Sequence, residues 1–202
     1  MPDLALQLQT HPLEGRFVRL EPYAPALKDE VRAALDCDSD GWDLFATSGQ
    51  GEHFEGWWST SLAEMGDGRR LAYAVRDLAD GRVVGTSAFL DIRPPHRGAE
   101  IGATFLRPEA RSGRANPEAK LLMLAYAFDH GAVRVELVTD LRNLRSQAAI
   151  AKLGAVREGV LRRERITWTG HVRDSVIYAI TDGEWPLVRA GLERRLAAFP
   201  SP

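Results

Sequence analysis

The sequence predicts an α/β (α+β) protein built on a mixed, mostly antiparallel sheet with helices on its faces. Three observations carry this reading. Residues 69–106 hold three period-two segments in succession, separated by turn residues and by no helical stretch. An apolar helical segment ending near Asp129 then leads into another alternating run at 133–140, which reads as a β-α-β crossover. Finally, 155–168 and 171–181 are long alternating runs on either side of Thr169-Gly170, a hairpin pattern.

The elements follow in order. "GRFVRLEP" (15–22) alternates and stops at Pro22, as a first strand would. Leu27, Val31, Ala34 and Leu35 have helical spacing within 25–35. The polar stretch "DCDSDGWDLFATSGQG" reads as a loop carrying Trp42 and Phe45, and 52–65 reads as a second helix holding Trp57, Trp58, Leu62 and Met65. Strands are expected at 69–77, 81–92 and 98–106, the first two joined around Asp80-Gly81. In the third, strict alternation puts Glu100, Gly102, Thr104 and Leu106 on one face and Ala99, Ile101, Ala103 and Phe105 on the other. The central helix is expected to have Asn116 as N-cap, Pro117 in its first turn and Gly131 just past its end. A short helix over 143–153 is closed by Gly154, and a last helix covers about 184–198.

Composition narrows the function classes. Of the 202 residues, 45% are hydrophobic and 27% charged, the balance of a soluble globular chain. The formal net charge of -2 argues against a general nucleic-acid binder. No run approaches the roughly 20 apolar residues of a membrane span. "MPDLALQLQT" has no basic n-region or long apolar stretch, so no secretion signal is expected and the reading is cytoplasmic. Cys37 is the only cysteine, and no Cys/His cluster suggests a metal. With no linker or repeat in view, a single domain over 1–202 is expected, its core at about 12–195.

Three stretches could carry chemistry, each with a plainer alternative. In "RSGRANPEAKLL" (111–122) a helix start would offer free amides and partial positive charge to an anion, with Gly113 and Ala115 allowing close approach and Arg111 and Arg114 adding charge. The alternative is a capped helix with a basic turn. In "TDLRNLRSQAAIAKLGAVREG" (139–159) Asn143 could be only an N-cap. Ser146 shares a stripe with Ala149, Ile150 and Leu153, and its hydroxyl is either satisfied by backbone or aimed into a cleft. Glu100, in the middle of a strand, is unusual for that position. It needs a partner or a raised pKa if covered, and nothing if wet.

Taken together, "FVRLEPY", "GRVVGTSAF", "AEIGATFL", "RSGRANPEAKLLMLAYAFDHGAVRVEL", "DLRNLRSQAAIAKLGAVREGVLRRE" and "GHVRDSVIYAITDGEWP" resemble the GCN5-related N-acetyltransferase (GNAT) family, in its RimJ/RimL-like branch, over about residues 12–195. The resemblance implies the GNAT fold, with two neighbouring parallel strands, 99–106 and 133–139, splayed apart around the arm of acetyl-CoA. It implies diphosphate binding by the loop before the central helix, where Ala110-Arg111-Ser112-Gly113-Arg114-Ala115 occupies the family's Gln/Arg-x-x-Gly-x-Gly/Ala signature and Ala110 departs from it. By the same resemblance Arg111, Ser112, Gly113, Arg114, Ala115 and Asn116 hold the diphosphate. Thr104, Phe105 and Leu106 pair with the pantetheine arm, Asn143 hydrogen-bonds it, Ser146 faces the thiol as cofactor contact and proton donor, and Glu100 is the general base, directly or through water.

The implied activity is acetyl transfer from acetyl-CoA to a primary amine, with a protein N-terminal α-amine as one acceptor; no metal, nucleic acid or membrane partner is implied, and a homodimer is allowed. Trp42, Phe45, His53, Trp57 and Trp58, with Arg162, Arg163, Arg165, Trp168 and His171 of the hairpin, are candidates to shape the acceptor site, and Glu158 to help line it. Three rivals stand beside this reading. An antibiotic-modifying acetyltransferase would need an acidic cleft. A non-catalytic CoA sensor is the direction in which Ala110 leans, and a nucleotide-binding module would prefer ATP.

Overall fold

A computed structural model describes residues 5–200; part of the N-terminal segment read for a secretion signal, and both ends of the expected domain, lie outside the described residues. Its centre is an eight-stranded sheet. In chain order the strands are β1 (Leu13–Glu14), β2 (Val18–Pro22), β3 (Leu71–Asp77), β4 (Val83–Arg93), β5 (Gly98–Leu106), β6 (Arg134–Asp140), β7 (Val156–Ile166) and β8 (Val172–Thr181). They lie side by side as β1-β2-β3-β4-β5-β6-β8-β7. Only β5 and β6 are parallel; every other neighbouring pair is antiparallel. The longer helices are α1 (Lys28–Leu35), α2 (Phe54–Gly66), α3 (Ala115–Asp129), α4 (Leu144–Ala151) and α5 (Trp185–Ala197). The mixed sheet with one parallel crossover is the architecture the alternation predicts.

Two differences concern boundaries. The first strand is a small hairpin, because 13–14 folds back antiparallel on β2. The second helix opens with a 3-10 turn at Gly51–His53 before α2 proper.

Each sheet face is covered separately. On one, Phe17, Val18, Tyr73, Val75, Phe89, Ile101 and Leu106 pack with Met123, Leu124 and Ala127 of α3 and Leu192 of α5. On the other, Ala72, Ala74, Ala88 and Phe105 pack with Val31 and Leu35 of α1, Phe54 and Trp58 of α2, and Trp42. Trp42 is 1% exposed and stacks on Phe105, ring centroids 4.8 Å apart. Full burial of each such side chain contributes on the order of 2 kcal/mol.

The start of α3 is tied down by an unpredicted contact. Glu118 is buried, and its carboxylate accepts the amides of Arg16 at 2.9 Å and of Phe17 and Val18 at 2.6 Å. Gly15 leaves the room: a Cβ there would stand 2.6 Å from Glu118 Cδ.

The period-two reading of β5 fails halfway along. Ala88 faces Gly102 and Thr86 faces Phe105, so three steps on β5 match two on β4. The extra residue is a bulge at Ala103, whose φ is +46°. Beyond it every side chain changes face. Leu106 joins Ile101 on the α3 side, Phe105 joins the α1/α2 side, and Thr104 reaches Lys120 of α3. The expected grouping of Glu100 and Gly102 with Thr104 and Leu106 is therefore wrong, because one inserted residue shifts the alternation by one.

Candidate active site

Strands β5 and β6 pair only at Gly98↔Arg134, Ala99↔Val135 and Glu100↔Glu136. Past Glu100 they run on to Leu106 and Asp140 without pairing, while β6 keeps its full ladder to β8. The bulge at Ala103 turns β5 away. A cavity of about 500 Å³ runs through the resulting gap, within the size range of ligand sites. Its wall brings together Glu100, Thr104, Phe105, Leu106, Arg111, Ser112, Gly113, Asn116, Asn143 and Ser146. Two of the residues expected at the cofactor site are not in that wall: Ala115 is 3% exposed in the core, and the Arg114 guanidinium turns to Asp77 at 3.3 Å.

At the cradle end, α3 begins at Ala115, two residues earlier than expected. Arg114 occupies the cap without a side-chain hydrogen bond, so Asn116 is not the N-cap, although Pro117 does lie in the first turn. Ser112 is left-handed, φ +61°. Among the described residues the amides of Ser112, Gly113, Arg114, Ala115 and Asn116 find no acceptor, whereas Arg111 N and Glu118 N on either side do. Five successive free N–H groups at a helix start form an anion-binding concavity. A Cβ on Gly113 would meet only Ala110 O, at 3.9 Å, so the loop is open there. Arg111 is held in place by Asp38 at 2.5 Å, by Leu106 O at 2.8 Å and by the Phe105 ring, leaving main chain as the main source of donors.

Farther in, Lys120 is 4% exposed and lines the cavity. Its Nζ donates to Ser87 Oγ at 2.9 Å and Thr104 Oγ1 at 2.5 Å. Burial lowers its pKa to about 7. Asn143 caps α4, its Oδ1 accepting Ser146 N at 2.9 Å, so the plain reading of Asn143 is correct for that atom. Ser146 lies on the cavity wall in the first turn of that helix.

Glu100 is half-buried, and its carboxyl lies over Gly102, where a Cβ would come within 2.7 Å of Oε1. Its neighbour across the parallel pair, Glu136, is also a carboxylate. The two are treated differently. Burial would raise Glu136, but hydrogen bonds from Arg134 at 2.8 Å and the nearby Arg93 at 3.0 Å outweigh it and hold it ionised. Glu100 has no such partner, and burial, with a contribution from Glu136, raises it to about 7 against the opposing pull of Arg165 and Arg173. A carboxyl balanced near neutrality beside a gap can take up or release a proton at physiological pH.

The aromatic candidates divide. Trp42, Phe45 and Trp57 wall the cavity, while Trp58 is core and His53 packs on the Trp168 ring. Of the hairpin arginines Arg165 lines the cavity; Arg162, Arg163, Trp168 and His171 are not in its wall. Glu158 is an exposed partner of Arg134 and is likewise not in the wall. Sequence reasoning missed Lys120, Arg70 and Arg173, all of which line the cavity. The only signal was a lysine within an apolar helix; Arg70 precedes β3, and Arg173 stands beside Asp174 and Ser175 in β8, so neither is marked out.

A free-amide cradle at a helix start, opening into a gap between diverging parallel strands with a titratable carboxyl beside it, defines an acyl-CoA-dependent acyltransferase. A family model for the acetyltransferase (GNAT) domain matches residues 18–156, and the chain belongs to the GCN5-related N-acetyltransferase family. It is an acetyl-CoA-dependent N-acetyltransferase. Among solved structures it is similar to a GCN5-related N-acetyltransferase from Brucella melitensis, at 28% identity over 95% of this chain and 87% of that one, TM-score 0.87. A protein from T. thermophilus assigned as an acetyltransferase is 36% identical over 94% of this chain and 99% of that one, TM-score 0.83. Mycobacterium smegmatis RimJ, in complex with CoA-disulfide, shares the fold at 24% identity over 93% of each chain, TM-score 0.74. No curated protein sequence matches the chain. Among the described residues no helix is long and apolar enough to cross a membrane.

Proposed function

We propose that this chain, acting as one domain, acetylates a primary amine of the α-amine class, including a protein N-terminus, with Glu100 as the base. Acetyl-CoA supplies the activated acetyl group. The residues present fit it: the free amides of 112–116 suit its diphosphate, and the cavity continues from them past Thr104, Asn143 and Ser146 to Glu100. In this reading Ser146, on the cavity wall, donates toward the sulfur, and Asn143, whose Oδ1 caps α4, offers its side-chain amide N–H groups to the arm.

The observation that carries the choice of acceptor is Glu100 itself, a half-buried carboxyl titrating at about 7 beside the strand gap. Only a neutral amine attacks a thioester. An α-amine has a pKa about 8, so proton transfer to Glu100 is uphill by about 1.4 kcal/mol; for a lysine near 10.4 the same step costs about 4.6 kcal/mol. The Mycobacterium RimJ likeness is in keeping with an amine acceptor in this cleft but does not select one.

The test is a thiol-release assay at pH 7 with acetyl-CoA and paired peptides, one with a free N-terminus and one N-blocked with a lysine. Neutral-amine fractions alone favour the free N-terminus by about two hundredfold. Preferential acetylation of the lysine side chain would defeat the reading. The antibiotic-type alternative finds no support, since Arg165 and Arg173 make this end of the cavity cationic.

A further inference from the structure

The acceptor end carries more positive charge than amine acetylation requires. Arg165 on β7 and Arg173 on β8 stand directly opposite each other in the antiparallel register, and both line the cavity with Glu100. Like charges directly opposite on a ladder repel and weaken it. The local backbone creates this pairing. From Leu161↔Ser175 to Arg165↔Arg173, four steps on β7 match two on β8. Arg163 takes up the excess with φ +53°, its amide donating to Asp174 Oδ1 at 2.7 Å. Without this irregularity Arg163 would face Arg173.

The two arginines differ in their partners. Arg165 is paired with Glu164 at 2.5 Å, and Glu164 also accepts Ser175 Oγ. Arg173 is 6% exposed, makes no salt bridge among the described residues, and its buried Nε has no acceptor. Asp140, the other nearby acid, is engaged by Arg142 at 2.8 Å. A buried guanidinium with an orphan N–H is costly unless something occupies it. Its planar set of donors matches a carboxylate.

We propose that Arg173, with Arg165 facing it, binds a carboxylate of the acceptor, so that the amine acetylated belongs to a molecule that also carries an acid. The source is either the α-carboxylate of a free amino acid or an acidic side chain at the start of a peptide. The inference rests on the acetyl-transfer reading and names its substrate class. It accounts for three features together: the strained β7 backbone, the repelling pair and the unmatched Nε.

The experiment measures kcat and KM by thiol release for matched acceptors: amino acids against their amides, and short peptides beginning with Asp or Glu against Asn or Gln. Acid-bearing acceptors are expected to exceed their amides at least tenfold in kcat/KM, and the series with the larger ratio identifies the source. Arg173→Gln is expected to collapse that ratio to within about twofold, chiefly through KM, and Arg173→Lys to restore part of it. Free of ligand, Arg173→Gln is expected to unfold no earlier than the parent, because a repulsion is removed. If it does not fold, Arg165→Gln, whose parent side chain is 43% exposed, carries the same comparison. Equal rates for acids and amides, or a preference that survives both substitutions, overturns the proposal. If no acceptor is acetylated at all, the acetyl-transfer reading fails. Calorimetry of the same acids and amides against the protein–CoA complex then decides the arginine site separately: heat seen with acids alone supports it, and equal or absent heat overturns it.

Discussion

Replacing Glu100 by glutamine keeps the shape of the side chain over Gly102 and removes the proton acceptor. With a pKa of about 7, the carboxyl is roughly one-tenth ionised at pH 6 and nine-tenths at pH 8, so parental turnover should rise about ninefold across that interval before levelling. The variant depends on amine that is already neutral, and its rate should follow the acceptor's own titration, near pH 8 for an α-amine. Loss of a positioned base lowers the rate by about 10²–10⁴. That deficit should be full at and below pH 7 and shrink as pH climbs past the pKa of the acceptor. Acetyl-CoA affinity should change less than about twofold, because the cradle at 112–116 is built from other residues. Stability has its own signature. The folded carboxyl titrates above its unfolded value, so the parent loses stability as pH rises toward and through 7, and the variant, relative to it, gains. Thiol-release rates from pH 5.5 to 9.5, with calorimetry for acetyl-CoA, read all of this. Superimposable pH–rate profiles for the two proteins would remove Glu100 from the chemistry.

Four further outcomes are expected. Gly113→Glu should fold, since its Cβ has room, yet weaken acetyl-CoA binding at least a hundredfold by calorimetry; unchanged affinity would remove the cradle. Lys120→Met should be more stable than the parent by about 2 kcal/mol at pH 7. The fall in lysine pKa to about 7 corresponds to at most about 5 kcal/mol, less two lost hydrogen bonds. Because the unfolded lysine holds its proton to higher pH, the advantage should fade between about pH 7 and 10.5, and parallel denaturation curves across that range would refute it. Gly85→Ala should cost stability at the upper end of about 1–3 kcal/mol, since its Cβ would stand 2.1 Å from Phe105 O just past the bulge; an unshifted urea midpoint contradicts this. Glu118→Ala should cost at least about 3 kcal/mol by stranding the amides of Arg16, Phe17 and Val18, again read from urea unfolding.

Much of the fold is legible because strand and helix periods are local. The β3–β4–β5 meander and the β7–β8 hairpin follow from alternation and turn glycines. Glu100 is legible for a similar reason, as a carboxylate where strands seldom carry one. What escapes is set by single backbone angles. Ala103 and Arg163 both adopt left-handed φ without being glycine, and nothing in either side chain announces it. Because of the first, strict alternation puts Thr104 on the wrong face. Because of the second, Arg165 rather than Arg163 meets Arg173. The burial of Arg173 and Lys120 depends on which layer covers each face, a tertiary fact that composition does not carry. The Glu118 contact joins residues about a hundred positions apart and leaves no local trace.

The bulge at Ala103 has a consequence for how this chain can change. It divides β5 into two halves that answer to different masters. Residues up to Gly102 keep the register that holds Glu100 beside the gap, whereas those from Thr104 onward obey the opposite parity. Removing one residue at that point would leave length and composition almost untouched. It would also restore plain alternation, leaving Thr104, Phe105 and Leu106 on the faces they already occupy, and take away the turn that parts β5 from β6. Substitutions in this strand can accumulate one by one, but loss of that single extra residue forfeits the opening itself.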